Sequence, residues 1–190
     1  CLDIGVFLLF NLLGGKMRTW VEINKENLKY NVLKLKETAN NREVLGVVKA
    51  NAYGLGSIEI AKILKEVGVK LFGVANLEEA IELQEAGIKD KILILGASFE
   101  DELIEATKRG IHIAISSMAQ LQFLVDNNLK PNIHLKFDTG MTRLGFEVDE
   151  AQKVIDYCKI NNLNLVGIFS HLSDSDGNTV ETKNFTLEQI

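Results

Sequence analysis

Residues 91–116, KILILGASFEDELIEATKRGIHIAIS, decide the fold. They open on an apolar run from Ile92 to Leu95, pass through an amphipathic stretch from Glu100 to Lys108, and return to a second run from Ile111 to Ile115. Runs that are apolar at nearly every position suit strands covered on both faces, and such strands belong to parallel sheets. A parallel return needs a crossover, which the helical stretch supplies. Gly110 stands just past that stretch, where a left-handed C-terminal cap favours glycine.

The same unit recurs on both sides. Further strand candidates are Val44 to Lys49, Leu71 to Ala75, Asn132 to Phe137 and Leu163 to Phe169. Helix candidates are Lys25–Asn40, Ser57–Val67, Leu77–Glu85, Ser117–Asn127 and Asp149–Asn161, with Gly68 and Gly87 again placed as caps. Trp20 to Ile23 alternates like a short strand. Strand starts near 44, 71, 91, 111, 132 and 163 give the βα repeat of an α/β protein. A doubly wound sheet and a (βα)8 barrel both fit that repeat. The dinucleotide fingerprint GxGxxG and the phosphate loop GxxxxGK[ST] are absent after the first strand. Six compact units without a reversal favour a (βα)8 TIM-type barrel truncated after about six βα units, since a full barrel takes about 250 residues.

The 190 residues carry a net charge of −5, 46% apolar and 25% charged residues, and one proline. That balance suits a folded globular domain and argues against disorder and against a dedicated nucleic-acid binder. Cys1 and Cys158 make no disulfide framework. His112, His134 and His171 are too scattered for a zinc signature, so no metal is expected. A reducing cytoplasm is the default location. The run Ile4 to Leu13 is too short for a bilayer, which needs about 20 residues, and lacks the basic lead of a signal peptide. No membrane association is expected unless an upstream domain is fused. Residues 1–16 read as translated upstream sequence before a start at Met17, with an upstream domain's tail or an element of this domain as alternatives. The polar helical pattern running into Ile190 suggests a piece of a longer protein.

In either architecture chemistry collects at the C-terminal ends of the strands. Alternation puts Leu45, Val47 and Lys49 on one face, so Lys49 extends a row expected to face the core. Such a lysine can act as an amine nucleophile that forms a Schiff base, or it can sit at the sheet rim with its head in water. Arg143 lies in a glycine-containing loop beyond the fifth strand and suits two-point binding of a carboxylate; the alternative is a surface arginine beside Asp138. Lys136 lies only seven residues earlier, so one of the two cations should be paired or neutralised. His171 can stack or hydrogen-bond at the rim, or be structural.

Two stretches resemble one family. Val47-Val48-Lys49-Ala50-Asn51-Ala52-Tyr53-Gly54-Leu55-Gly56 is similar to the cofactor-lysine motif of the alanine racemases. Lys136-Phe137-Asp138-Thr139-Gly140-Met141-Thr142-Arg143-Leu144-Gly145 resembles the family's second motif, and Arg18 to Ile23 resembles its usual start. The likeness covers residues 17–190 and implies the N-terminal part of the family's barrel, without its last strands or β-rich C-terminal domain.

The resemblance implies an amino-acid racemase that interconverts L- and D-alanine for peptidoglycan through a pyridoxal 5′-phosphate aldimine and two bases. Lys49 would hold the cofactor and act as one base; the second, a tyrosine, lies in the C-terminal domain. Tyr53 would sit near the cofactor phosphate, His171 against its ring, and Arg143 on the substrate carboxylate. Lys136 matches a lysine that is N6-carboxylated in many members, which would orient Arg143. The intact protein would be a cytoplasmic homodimer, and these residues alone are expected to be inactive. A serine or broad-specificity racemase, or a non-catalytic pyridoxal phosphate-binding barrel, are the alternatives.

Overall fold

A computed structural model describes residues 4–7, 20–40 and 42–190 of the chain. Contacts divide it into two compact units, residues 1–92 and 93–190.

In the first unit β1 (Ile4–Phe7) pairs antiparallel with β2 (Trp20–Ile23). The reading of residues 1–16 as upstream sequence, and of Met17 as the start, falls outside the described residues except at Ile4–Phe7. Asn24 caps α1 (Lys25–Thr38), its side chain accepting from Asn27 N–H at 3.0 Å. At the other end of α1, Lys36 donates to the Val67 carbonyl at 3.0 Å and so helps to close α3 (Ser57–Glu66). Between these helices lie β3 (Leu45–Val47) and a single turn, α2 (Lys49–Tyr53). β3 pairs in parallel with β4 (Leu71–Val74), Gly46 opposite Phe72, and α4 (Leu77–Glu85) follows. Phe72 and Leu83 are fully buried, and burial of each such side chain contributes roughly 1.5–3 kcal/mol.

β5 (Lys91–Ile94) leads into the second unit. There β5, β6 (His112–Ile115) and β7 (Ile133–Asp138) pair in parallel, with α5 (Glu100–Arg109) and α6 (Met118–Asp126) as crossovers. β7 also pairs in parallel with β8 (Phe146–Glu147) and β9 (Leu165–Phe169), between which runs α7 (Ala151–Ile160). α8 (Val180–Glu188) closes the described chain. Ile113, Ile115, Leu121, Leu124, Ile133 and Leu135 form the buried centre of this unit. Cys158 is buried there too, and burial raises its thiol pKa, which suits a packing residue rather than a nucleophile.

The alternation of parallel strands and helices is the α/β pattern expected from the sequence. Two details differ. β6 is buried at every position and β7 at four of six, but β3 and β9 each leave one face open, with Val47 41% and Ile168 54% exposed. The row holding Leu45 and Val47 is therefore the open one, and Gly46 and Val48 face the core. A Cβ on Gly46 would stand 2.8 Å from Leu64 Cδ1, so α3 packs on that side. The strand also ends at Val47 rather than at Lys49. No helix among the described residues is long and apolar enough to cross a membrane.

Candidate functional site

The backbone changes hand where β3 ends. Val48 N–H still donates to the Gly73 carbonyl at 2.9 Å, but Ala50, Asn51, Ala52 and Tyr53 all adopt φ between +50° and +57°. Left-handed helical backbone costs an L-residue about 1–2 kcal/mol, so these four positions cost about 4–8 kcal/mol together. Local hydrogen bonds offset part of this. Asn51 is the hub: its carbonyl accepts from Gly54 at 3.0 Å and Gly56 at 2.9 Å, and its side-chain oxygen accepts from Ser57 N–H at 2.9 Å. Further support comes from β4 and α4. Glu79 Oε1 accepts from Ala50 N–H and Oε2 from Ala75 N–H, each at 2.7 Å. Lys49 thus leaves the sheet half-buried, on a peptide fixed on both sides, while Tyr53 is 67% exposed.

A second anchored loop follows β7. The Asp138 carboxylate accepts from Gly140 and Thr142 N–H on Oδ1, both at 2.9 Å, and from Arg143 N–H on Oδ2 at 2.8 Å. These donors, Gly140 first, hold the Asp138 pKa below the usual carboxylate range. Gly145 returns the loop to β8 at φ +142°, where a Cβ would press on Asp138 N and lie 2.6 Å from the Phe137 carbonyl carbon. Phe137 and Phe146 then pack at 5.9 Å between ring centroids. Lys136 is 6% exposed, its ammonium 5.8 Å from the Phe169 ring centroid. A buried ammonium needs such compensation. Thr139 and Ser170 hydroxyls meet at 2.7 Å and join the ends of β7 and β9, one residue before the exposed His171.

Two strand ends with anchored polar loops, one presenting an amine and one an arginine, occur on a chain whose residues 23–190 match the family model described as alanine racemase, N-terminal domain. The chain belongs to the alanine racemase family. A curated relative named alanine racemase, from Fusobacterium nucleatum subsp. nucleatum, is 90% identical over 174 residues, which cover 92% of this chain and 49% of that protein. A solved alanine racemase from Clostridium difficile 630, in complex with cycloserine, matches at a TM-score of 0.82 and 31% identity, over 93% of this chain and 50% of that one. A histidine racemase from Leuconostoc mesenteroides subsp. sake matches at 0.78 and 25% identity, over 87% of this chain and 46% of that one. The chain thus spans about half the length of the relatives it matches, and its fold class is the TIM-type α/β barrel class of the family.

Within the alanine racemase frame the expected residues lie at or near the C-terminal ends of β3, β7 and β9. Lys49 and Tyr53 belong to the left-handed turn of the first unit; Lys136, Arg143 and His171 belong to the second. Arg143 is exposed, and its backbone is tied to Asp138. A cleft of about 630 Å³ beside this loop is lined by Asp138, Gly140 and Thr142 but not by Arg143, Lys136 or His171.

Three features escaped the sequence reading. Glu79 stands three residues after the N-cap Asn76, the spacing of a capping box, and that signal was readable. Asp138 was legible only as a neighbour of Arg143. The pair His112 Nδ1···His134 Nε2 at 3.0 Å joins histidines 22 residues apart and depends on the β6–β7 register. Among the described residues no three His, Cys, Asp or Glu side chains could hold a metal ion. The Lys49 amine, half-buried at a strand end on a fixed backbone, has the chemistry to hold an aldehyde cofactor.

Proposed function

We propose that the protein containing this chain interconverts L- and D-alanine, with pyridoxal 5′-phosphate held by Lys49. The observation that carries the reading is the fixed left-handed turn that presents Lys49, on a chain 90% identical over most of its length to a relative named alanine racemase. The cofactor, when bound, supplies an electron sink that acidifies the substrate Cα–H.

The chain's own residues do the rest. Lys49 would hold the cofactor through Nζ, and its amine would move a proton at the substrate Cα on one face. Inversion needs a second base on the opposite face, which the family resemblance assigns to a tyrosine of a further, C-terminal domain. Arg143 binds the substrate carboxylate, and its Asp138-anchored backbone limits the positions its guanidinium can take. Tyr53 would sit near the cofactor phosphate and His171 against its ring. Lys136, as N6-carboxylysine, exchanges a buried +1 for a −1 and orients Arg143. The intact protein works as a cytoplasmic homodimer, with residues 17–190 as the N-terminal part of the barrel.

The likeness to a histidine racemase favours a second reading, racemisation of a larger amino acid on the same fold. Chiral chromatography of L-alanine, L-serine and L-histidine incubated with the intact, cofactor-loaded protein separates the two. D-alanine is expected to form fastest, above about 1 s⁻¹. Faster conversion of serine or histidine overturns the substrate, and no conversion at all overturns the function.

A further inference from the structure

We propose that Glu79 is a positioning residue for Lys49, a role that rests on the reading of Lys49 as the cofactor lysine. In an ordinary capping box the acidic residue three positions into a helix bonds back to the N-cap's own N–H. Here Asn76 plays the N-cap, its side-chain oxygen accepting from Glu79 N–H at 3.0 Å, but the Glu79 carboxylate does not return to it. One oxygen takes Ala75 N–H at the end of β4, and the other takes Ala50 N–H, 29 residues away in sequence, at the same 2.7 Å.

The Ala50 amide belongs to the peptide that joins Lys49 to Ala50. Fixing it fixes the Lys49 ψ angle, and with it the direction in which the lysine leaves β3. Ala50 is also the first of the four left-handed residues, none of which is glycine. Nothing in the covalent preference of alanine holds it there. The clamp therefore links the ends of two neighbouring parallel strands and sets the backbone from which the amine projects. A carboxylate suits the task because each of its oxygens accepts one N–H, and charge-assisted bonds of this length are strong. A glutamine offers one acceptor oxygen, and its NH₂ group would face the second N–H.

The test uses the intact protein with Glu79→Gln and Glu79→Ala, and reads amide exchange without added cofactor as well as turnover with it. Exchange at Ala50 should rise about tenfold or more in Glu79→Ala, the factor expected for loss of a charge-assisted hydrogen bond, and less in Glu79→Gln. Turnover with cofactor should fall in kcat by about tenfold to a hundredfold, as for misplacement of a reacting group, with a smaller change in KM. Circular dichroism checks that each variant is folded, and Glu79→Gln carries the test if Glu79→Ala is not. Ala50 exchange within about twofold of the parent refutes the clamp. Faster exchange with unchanged kcat makes Glu79 structural only and refutes the positioning role. Borohydride labelling of the parent on a lysine other than Lys49 refutes the underlying assignment and the role with it, independently of the exchange result.

Discussion

Gly145→Ala tests the geometry of the Arg143 loop. Gly145 lies at φ +142°, and the added Cβ would press on Asp138 N, lie 2.6 Å from the Phe137 carbonyl carbon and lie 3.1 Å from the Lys136 carbonyl oxygen. All three neighbours are backbone of β7, so no side chain can rotate away. A non-glycine residue in such a conformation costs about 1–3 kcal/mol, and overpacking against a fixed neighbour costs about 1–3 kcal/mol more. The sum, about 2–6 kcal/mol, is a large share of the 5–15 kcal/mol that holds a typical domain folded. At roughly 2–4 °C per kcal/mol for a domain of about 150–250 residues, the melting temperature of the intact protein should fall by about 4–24 °C. If the loop yields instead, the fall is smaller, but β8 moves off β7 and the Asp138 bonds break. Amide exchange across residues 138–147 then rises, and KM for alanine rises with it. A melting curve within about 1 °C of the parent, together with unchanged exchange in that loop, refutes the close-approach argument.

Two further perturbations address single groups. If Lys136 as N6-carboxylysine orients Arg143, Lys136→Ala should raise KM for alanine about tenfold or more, with partial rescue by a small carboxylate; no rescue, and no acid-labile carbamate in the parent, counts against N6-carboxylation. For Asp138 the folded pKa lies below its unfolded value of about 3.9. Its contribution is therefore complete above that pH and lost as pH falls through the lower, folded value. Protection of the Gly140 and Arg143 amides, corrected for intrinsic exchange, should hold from pH 7 down to about 4 and then fail; failure beginning near pH 6 contradicts the carboxylate anchor.

The fold was legible because its signal is periodic. Among β2 to β9 each strand but β8 was located to within two residues at either end, and Leu77–Glu85 was placed at its observed ends. β8 was missed, since two residues carry no period. The shortfall at Lys49 has a specific cause: Ala50, Asn51 and Ala52 read locally as a strand's continuation into a loop, and no propensity suggests four left-handed residues. One of the bonds that hold it, Ala50 N–H to the Glu79 carboxylate, spans 29 residues, so a local reading could not reach it. The shared row of Leu45 and Val47 was read correctly, but which face of β3 is covered within this chain was not. Alternation tells which residues share a face, but the packing of Leu64 on Gly46 decides which face is covered. Residue types at the candidate site were readable from the two motifs; the anchoring of each loop by a carboxylate was not.

The most direct measurement is the site of covalent attachment. The intact protein is loaded with pyridoxal 5′-phosphate, reduced with borohydride, digested and mapped. One pyridoxyl group is expected, on the peptide containing Lys49, and no racemisation by a folded Lys49→Ala variant. A pyridoxyl group on any other lysine, or alanine racemisation that survives the loss of Lys49, would contradict Lys49 as the cofactor lysine.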